Sequence, residues 1–385
     1  MKRFFASVFV VFVLLSLIAV PILAQGAPSV ELHGYMQNRF YAPPSASARF
    51  VLDRVSLSAV AHLPSDTTGY VEVYFHPWLT DAVVPDALNP NPPVPGSGLT
   101  TAEQGRTYVE SAYLDRPLGA GRIRIGKGRQ LNFGLTPSYP NRKTSQYGIL
   151  AETFTQDRIV GAQYNYKQST WDIGASLYTD LTVASRKIGE MAAAISQPVA
   201  TVSHFADRDV TGDISGKLAG SVKLGMTSGR WQGHVSGAVG ALTPADAALV
   251  GRQYPSFTTT AVNTNTDHSK WGLDATYTMG PFVAQGEWYQ GKFSFVEQTG
   301  YSALVGYQPK DKDRVYVRYA AINSNQSVVA SQLSWPVEQL TVGIVHPISK
   351  GVWAELDYEK NMERQPTGVA DVKNDLLFLE FFTGF

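Results

Sequence analysis

The sequence predicts an all-β protein: a transmembrane antiparallel β-barrel of about sixteen strands, with short turns at its periplasmic rim and long loops at its extracellular rim. Three observations predict it. Apolar and polar residues alternate with a period of two along most of the chain beyond residue 30. Tight turns and longer polar connections follow one another in strict alternation. Past residue 24, no apolar run approaches the roughly 20 residues that a spanning helix needs.

The N-terminus comes first. Lys2 and Arg3 precede an apolar stretch over residues 4–23, and Ile22 and Ala24 stand at the minus-three and minus-one places for cleavage after Ala24. This reads as a cleaved secretory signal peptide, residues 1–24, ahead of a single barrel domain, residues 25–385. The competing reading, an uncleaved membrane anchor, is disfavoured by Pro21 and the Ala24–Gln25 junction.

The period of two marks strands with one apolar face. Val30, Leu32 and Met36 alternate with Glu31, His33, Tyr35, Gln37 and Arg39. Val51, Val55 and Leu57 alternate with Arg54, Ser56 and Ser58, and Trp171, Ile173 and Leu177 with Asp172, Ser176 and Tyr178. Near the C-terminus Val352, Leu356 and Tyr358 oppose Trp353, Glu355, Asp357 and Glu359. No comparable amphipathic helix pattern follows the signal peptide.

Tight turns with Gly, Pro, Asp or Ser chemistry fall at 64–69, 117–121, 167–170, 228–230, 279–281, 308–312 and 346–350. Longer connections fall at 42–48, 77–105, 130–153, 182–213, 242–269, 297–300, 323–336 and 362–373. Together they imply about sixteen strands with both chain ends at the turn rim. A soluble β-sandwich would also alternate apolar and polar residues, but it must bury its apolar face against a second sheet. Leu377, Leu379, Phe381 and Phe385 share one face of the last strand. The terminal Phe385 reads as a signal for the barrel-assembly machinery, or as an aromatic anchor at the lipid interface; the two roles are compatible.

Composition removes several function classes. The 385 residues carry 32 basic and 32 acidic side chains, without the basic excess of a nucleic-acid binder. No cysteine is present, which excludes disulfides and thiolate metal sites. The seven histidines have no ligand spacing and no nucleophile elbow appears, so neither a metal, another cofactor nor an enzymatic activity is expected.

With apolar faces turned to lipid, the opposite faces line a lumen, where rings of charge set ion preference. The candidate lining residues are Arg54, Arg122, Arg124, Arg314, Arg318, Glu355 and Asp357. Gly126 and Gly128 share a face with Arg122 and Arg124, so that strand is expected to leave space beside its positive charge. The connection 130–153 carries Arg142 and Lys143 beside Pro137, Tyr139, Pro140 and Tyr147. It is the candidate to fold inward and narrow the lumen, an ordinary external loop being the alternative.

Several stretches also carry a family likeness. Gly34-Tyr35-Met36-Gln37-Asn38-Arg39, Arg49-Phe50-Val51-Leu52-Asp53-Arg54-Val55, Ala112-Tyr113-Leu114, and the run from Arg122 through Gly126, Lys127 and Gly128 to Gln130 follow one another in porin-like order. In this order they resemble the phosphate-selective porin O and P family. The resemblance implies a sixteen-stranded, usually trimeric outer-membrane barrel, with arginines and a lysine cluster at its constriction. Arg122, Arg124, Arg142 and Lys143 correspond to that pattern in part. The resulting expectation is a passive outer-membrane pore for small hydrophilic solutes or inorganic anions, with a mild anion bias. A non-transport barrel acting as an adhesin or surface-interaction protein is the alternative.

Overall fold

A strand that is apolar at every second position needs a non-aqueous phase on that side, and a sheet in lipid must leave no unpaired edge. The chain meets both conditions by closing on itself. The computed structural model describes residues 29–42, 48–76, 106–135, 147–155, 158–179, 218–242, 247, 264–325, 336–364, 367–368 and 375–385. They form β1 (Ser29–Ala42), β2 (Arg49–Leu63), β3 (Thr67–His76), β4 (Arg106–Leu118), β5 (Gly121–Arg129), β6 (Arg158–Lys167), β7 (Trp171–Thr179) and β8 (Leu218–Ser228). The second half holds β9 (Trp231–Ala241), β10 (Asp267–Met279), β11 (Phe282–Phe293), β12 (Val296–Tyr307), β13 (Arg314–Ser324), β14 (Val337–Ser349), β15 (Val352–Glu363) and β16 (Leu376–Gly384). Each strand pairs with its sequence neighbours, and β1 pairs antiparallel with β16 to complete a sixteen-stranded barrel.

The two faces sort as the alternation requires. Leu32 (78 % exposed), Val239 (67 %) and Leu218 (63 %) point outward, whereas Gln37, Thr341 and Glu355 on the inner face are fully buried. Such an apolar exterior is wrong for water and right for the hydrocarbon of a bilayer. Outward aromatics gather toward the turn rim, where Trp231 packs on Tyr277 and Phe282 on Tyr307 at ring distances of 4.6 and 5.0 Å. A second group, Trp271 against Trp288 at 4.5 Å, lies farther up the same wall. These are the interfacial belts of a spanning barrel.

All seven tight turns stand where the sequence placed them. The turn between β2 and β3 is unusual: Ser65 (φ 60°) and Asp66 (φ 53°) are both left-handed although neither is glycine. Such conformations cost free energy and persist when other contacts fix them; Asp66 has such a contact, with Arg122, at the turn rim.

Three expectations need correction. Residues 297–300 are no loop, because they belong to β12, and β11 turns into it through Ser294 and Phe295 alone. Glu297, Gln298 and Thr299 are polar because they sit at a barrel rim, where polarity does not distinguish strand from loop. In β2 the pairing steps from Gln37–Arg54 to Asn38–Leu52 and leaves Asp53 as a bulge. A bulge reverses the side-chain alternation, so Phe50 (75 % exposed) and Leu52 (38 %) face outward above it rather than the expected series through Val51. Finally, the chain after the signal peptide does contain a helix, α1 (Ile149–Phe154), too short to show a helical period in the sequence.

The seam is closed by the last residue. Gly34 N–H donates to the Phe385 carbonyl, and Phe385 N–H donates to the Gly34 carbonyl, both at 2.9 Å. The Phe385 ring lies over Gly34 so closely that a Cβ there would stand 2.4 Å from Cε2. A side chain at 34 would displace the Phe385 ring and press on the Ser56 carbonyl, 2.9 Å from the Cβ position.

Candidate pore lumen and its internal loop

The connection from β5 to β6 does not stay outside the barrel. Its first described part leaves Arg129 and crosses the inner wall in a few residues. Leu131 N–H donates to Gln163 Oε1 at 2.8 Å, and Asn132 Nδ2 donates to the Tyr164 and Ala175 carbonyls and to Ser176 Oγ. Gly134 N–H donates to Ser236 Oγ, Lys223 Nζ donates to the Gly134 carbonyl, and Leu135 N–H donates to Tyr289 Oη at 2.8 Å. The loop is thus tethered in turn to β6, β7, β8, β9 and β11.

Its second described part returns as α1. Ile149 and Phe154 are fully buried, and they pack with Phe133, Tyr289, Phe293, Val296, Ile322 and Val337 in one apolar cluster. The barrel wall is apolar on its inner face here because the loop, not water, covers it. Lys270 Nζ donates to the Phe154 carbonyl and lies 4.9 Å from the Phe133 ring, while Ile149 N–H donates to Gln339 Oε1. A Cβ at Gly300 would stand 2.5 Å from Leu150 Cδ1, so the absence of a side chain in β12 admits the helix. Burying Ile149, Leu150 and Phe154 contributes roughly 1.5–3 kcal/mol each. The described parts of the loop therefore lie mainly against the wall from β6 to β14; on the wall opposite, from β15 through β1 to β5, Tyr147 just before α1 has the Arg129 guanidinium 5.6 Å from its ring.

On that second wall the charges are paired. Arg122 donates to Asp115 Oδ1 at 2.6 Å and to Asp66, through Oδ2 at 2.5 Å and the carbonyl at 2.9 Å. Arg124 donates to Asp115 Oδ2 at 3.2 Å and lies 3.9 Å over the Tyr113 ring. The left-handed Asp66 is held by this bridge. The supposed space beside Gly128 is filled by Tyr113, whose Cδ1 would stand 3.3 Å from a Cβ there. Arg39 and Glu380, on adjacent β1 and β16, form a buried ion pair at 2.6 Å that Gln37 extends, and Arg158 pairs with Glu110 in the same way.

The remaining candidates separate into exposed and structural groups. Arg54 is half-buried, its guanidinium 4.6 Å over the Tyr74 ring. Arg314 opens β13 at the turn rim. Arg318 is 5 % exposed, donates to Thr341 Oγ1 at 3.1 Å and lies 3.9 Å from Glu359. It abuts Gly148, just before α1, so it supports the loop. Glu355 and Asp357 are fully buried, not solvated in an open channel, and Asp357 accepts from Tyr316 Oη at 2.8 Å. Arg142 and Lys143 lie outside the described residues.

Two groups were missed from sequence: the counter-ions Asp66 and Asp115, and the tethers Asn132 and Ser236. For Asp115 a signal exists. Counting back across the tight turn before Gly121 places it opposite Arg124, as the register has it. For the tethers none exists, since their partners lie up to 102 residues away.

A closed sixteen-stranded barrel with lipid-facing aromatics and a loop folded into a charged lumen defines an outer-membrane pore of the porin type. A family model, phosphate-selective porin O and P, matches residues 93–330, more than half of the chain. The chain belongs to that family and is an outer-membrane porin, and this family and fold point to a channel rather than an enzyme. The matched span includes the stretches around Tyr113 and Arg122–Gln130; the likenesses at 34–39 and 49–55 fall outside it.

Solved structures agree in fold. The outer membrane channel DcaP of Acinetobacter baumannii is 13 % identical over 94 % of this chain and 99 % of its own, with a TM-score of 0.61. OmpT of Vibrio cholerae in a trimer form is 12 % identical over 94 % and 100 %, with a TM-score of 0.55. An anion-selective porin from Comamonas acidovorans is 14 % identical over 93 % and 100 %, with a TM-score of 0.51. No curated protein sequence matches the chain.

Proposed function

We propose that this porin is a general, passive pore with a mild preference for anions, narrowed by the connection between β5 and β6. The observation that carries the reading is that connection, tethered inside the lumen from Leu131 to Leu135 and again through α1. It takes up lumen beside β6 to β14, and the passage would run along the wall that bears Arg54, Arg122 and Arg124. Arg142 and Lys143, on the same connection, would add to the positive side of this passage.

The preference is mild because the fixed charge is largely compensated. Arg122 and Arg124 share Asp66 and Asp115, and Arg39 is matched by Glu380. A strict phosphate filter would need donors free of such competing acceptors. The protein is exported with residues 1–24 removed, inserted by the barrel-assembly machinery through its last strand, and assembled as a homotrimer, as OmpT has been described in a trimer form. Reversal potentials in a tenfold KCl gradient test the reading. A small shift toward the chloride potential is expected, and strong cation selectivity would overturn the anion preference.

A further inference from the structure

The wall from β15 through β1 to β5 carries aromatic rings in an arc. At the turn rim Trp353 of β15 lies parallel to Phe382 of β16, with ring centres 3.5 Å apart and 11° between planes. Phe382 stacks on Tyr35 of β1 at 5.1 Å, and Tyr35 meets Tyr74 of β3 edge-on at 6.2 Å. Nearer the same rim Tyr70 stacks on Tyr113 of β4 at 5.1 Å. Phe382, Tyr35 and Tyr74 are buried and serve as backing, while Trp353, Tyr70 and Tyr113 remain only half-buried on the inner side.

The polar groups beside these rings decide what they fit. Arg124 lies over Tyr113 and shares Asp115 with Arg122, which also holds Asp66. Ser56 Oγ donates to Glu72 at 2.7 Å on the strands between. Donors and acceptors thus alternate with little net charge. A phosphate or carboxylate accepts hydrogen bonds only, and would meet the carboxylates of Asp66, Asp115 and Glu72 as repulsive neighbours. A sugar hydroxyl donates and accepts, and the C–H face of a pyranose ring carries the partial positive charge that an aromatic face attracts.

We propose that this arc is a subsite for neutral sugars in pyranose form, which rest against the half-buried Trp353 and Tyr70 while the paired charges around Tyr113 exchange hydrogen bonds with their hydroxyls. The proposal rests on the pore reading and adds a solute class to it.

The test records KCl current through the purified protein in planar bilayers while glucose, its α-linked tetramer or sorbitol is added. The tetramer is expected to reduce the current at millimolar concentration, glucose more weakly. Sorbitol, with six carbons and hydroxyls but no ring, should act only through bulk conductivity. Normalised to each variant's own KCl current, Trp353→Leu and, independently, Tyr70→Leu should raise the half-blocking concentration roughly three- to tenfold. Trp353→Phe should restore most of the block. KCl current with no sugar block, equal block by sorbitol, or unchanged block in both leucine variants overturns the proposal while leaving the pore intact. Block by benzoate but not by the tetramer also overturns it, and assigns the arc to aromatic anions. No KCl current in the wild type overturns the pore reading itself.

Discussion

Asp115→Asn is the most informative single substitution in the lumen. Asp66, Asp115, Arg122 and Arg124 form one bridge whose formal charges cancel, and Asp115 contacts both arginines. Removing its charge leaves one net positive charge on the wall. For an ion passing about 8 Å away in water this is worth about 0.5 kcal/mol unscreened. Screening reduces it to about 0.4 kcal/mol at 0.01 M salt and about 0.2 kcal/mol at 0.15 M. Anions gain what cations lose, so the anion-to-cation permeability ratio should rise roughly fourfold at 0.01 M and roughly twofold at 0.15 M. Replacing Arg122 and Arg124 together by Ser leaves both carboxylates unmatched, and should shift the ratio toward cations by about twice that free energy. The assay is the reversal potential in a salt gradient, measured at both ionic strengths, with heat-modifiable gel migration as the check on folding. An unchanged ratio in Asp115→Asn, or a shift toward cations, would mean that permeating ions do not sense this bridge.

The internal loop and the seam give further expectations. Leu150→Asp places a charge in the apolar cluster under α1 and should release the loop from β12 and β13, raising single-channel conductance; Lys223→Met, which removes the tether to the Gly134 carbonyl, should raise it less. Equal conductance in both variants and wild type would mean that the loop does not limit the passage. Because Phe385 and Gly34 close the seam together, Gly34→Val should lower the yield of folded barrel as deletion of Phe385 does, without affecting export across the inner membrane. Full yield in Gly34→Val beside a loss in the deletion would assign Phe385 to sorting alone. Protease added to intact cells should cut within residues 77–105 and spare residues 64–69; ready cleavage at 64–69 would invert the orientation.

The barrel was legible because its rules are local. A period of two, a turn such as that before Gly121, and a terminal aromatic strand each occupy a few consecutive residues, and the seven turns followed from them. The misreadings have two separate physical causes. Residues 297–300 look like loop because a rim strand is polar, and β2 changes face because an unpaired Asp53 consumes one residue of alternation. Neither leaves a compositional mark. The lumen was legible only as a set of charges. Arg124 was found without Asp115, although hairpin counting reaches it, and Arg318, Glu355 and Asp357 were read as lining although packing buries them. Burial inside a barrel depends on what a loop covers, here a segment bound to strands more than a hundred residues away.

An open aqueous path beside the internal loop is what makes this barrel a pore. Single-channel recording of the purified, refolded protein in planar lipid bilayers tests it most directly. Discrete, voltage-independent current steps are expected at low potential, with a reversal potential displaced slightly toward that of the anion in a KCl gradient. A correctly folded barrel that inserts and gives no current steps would contradict it, and would leave the surface-interaction reading in its place.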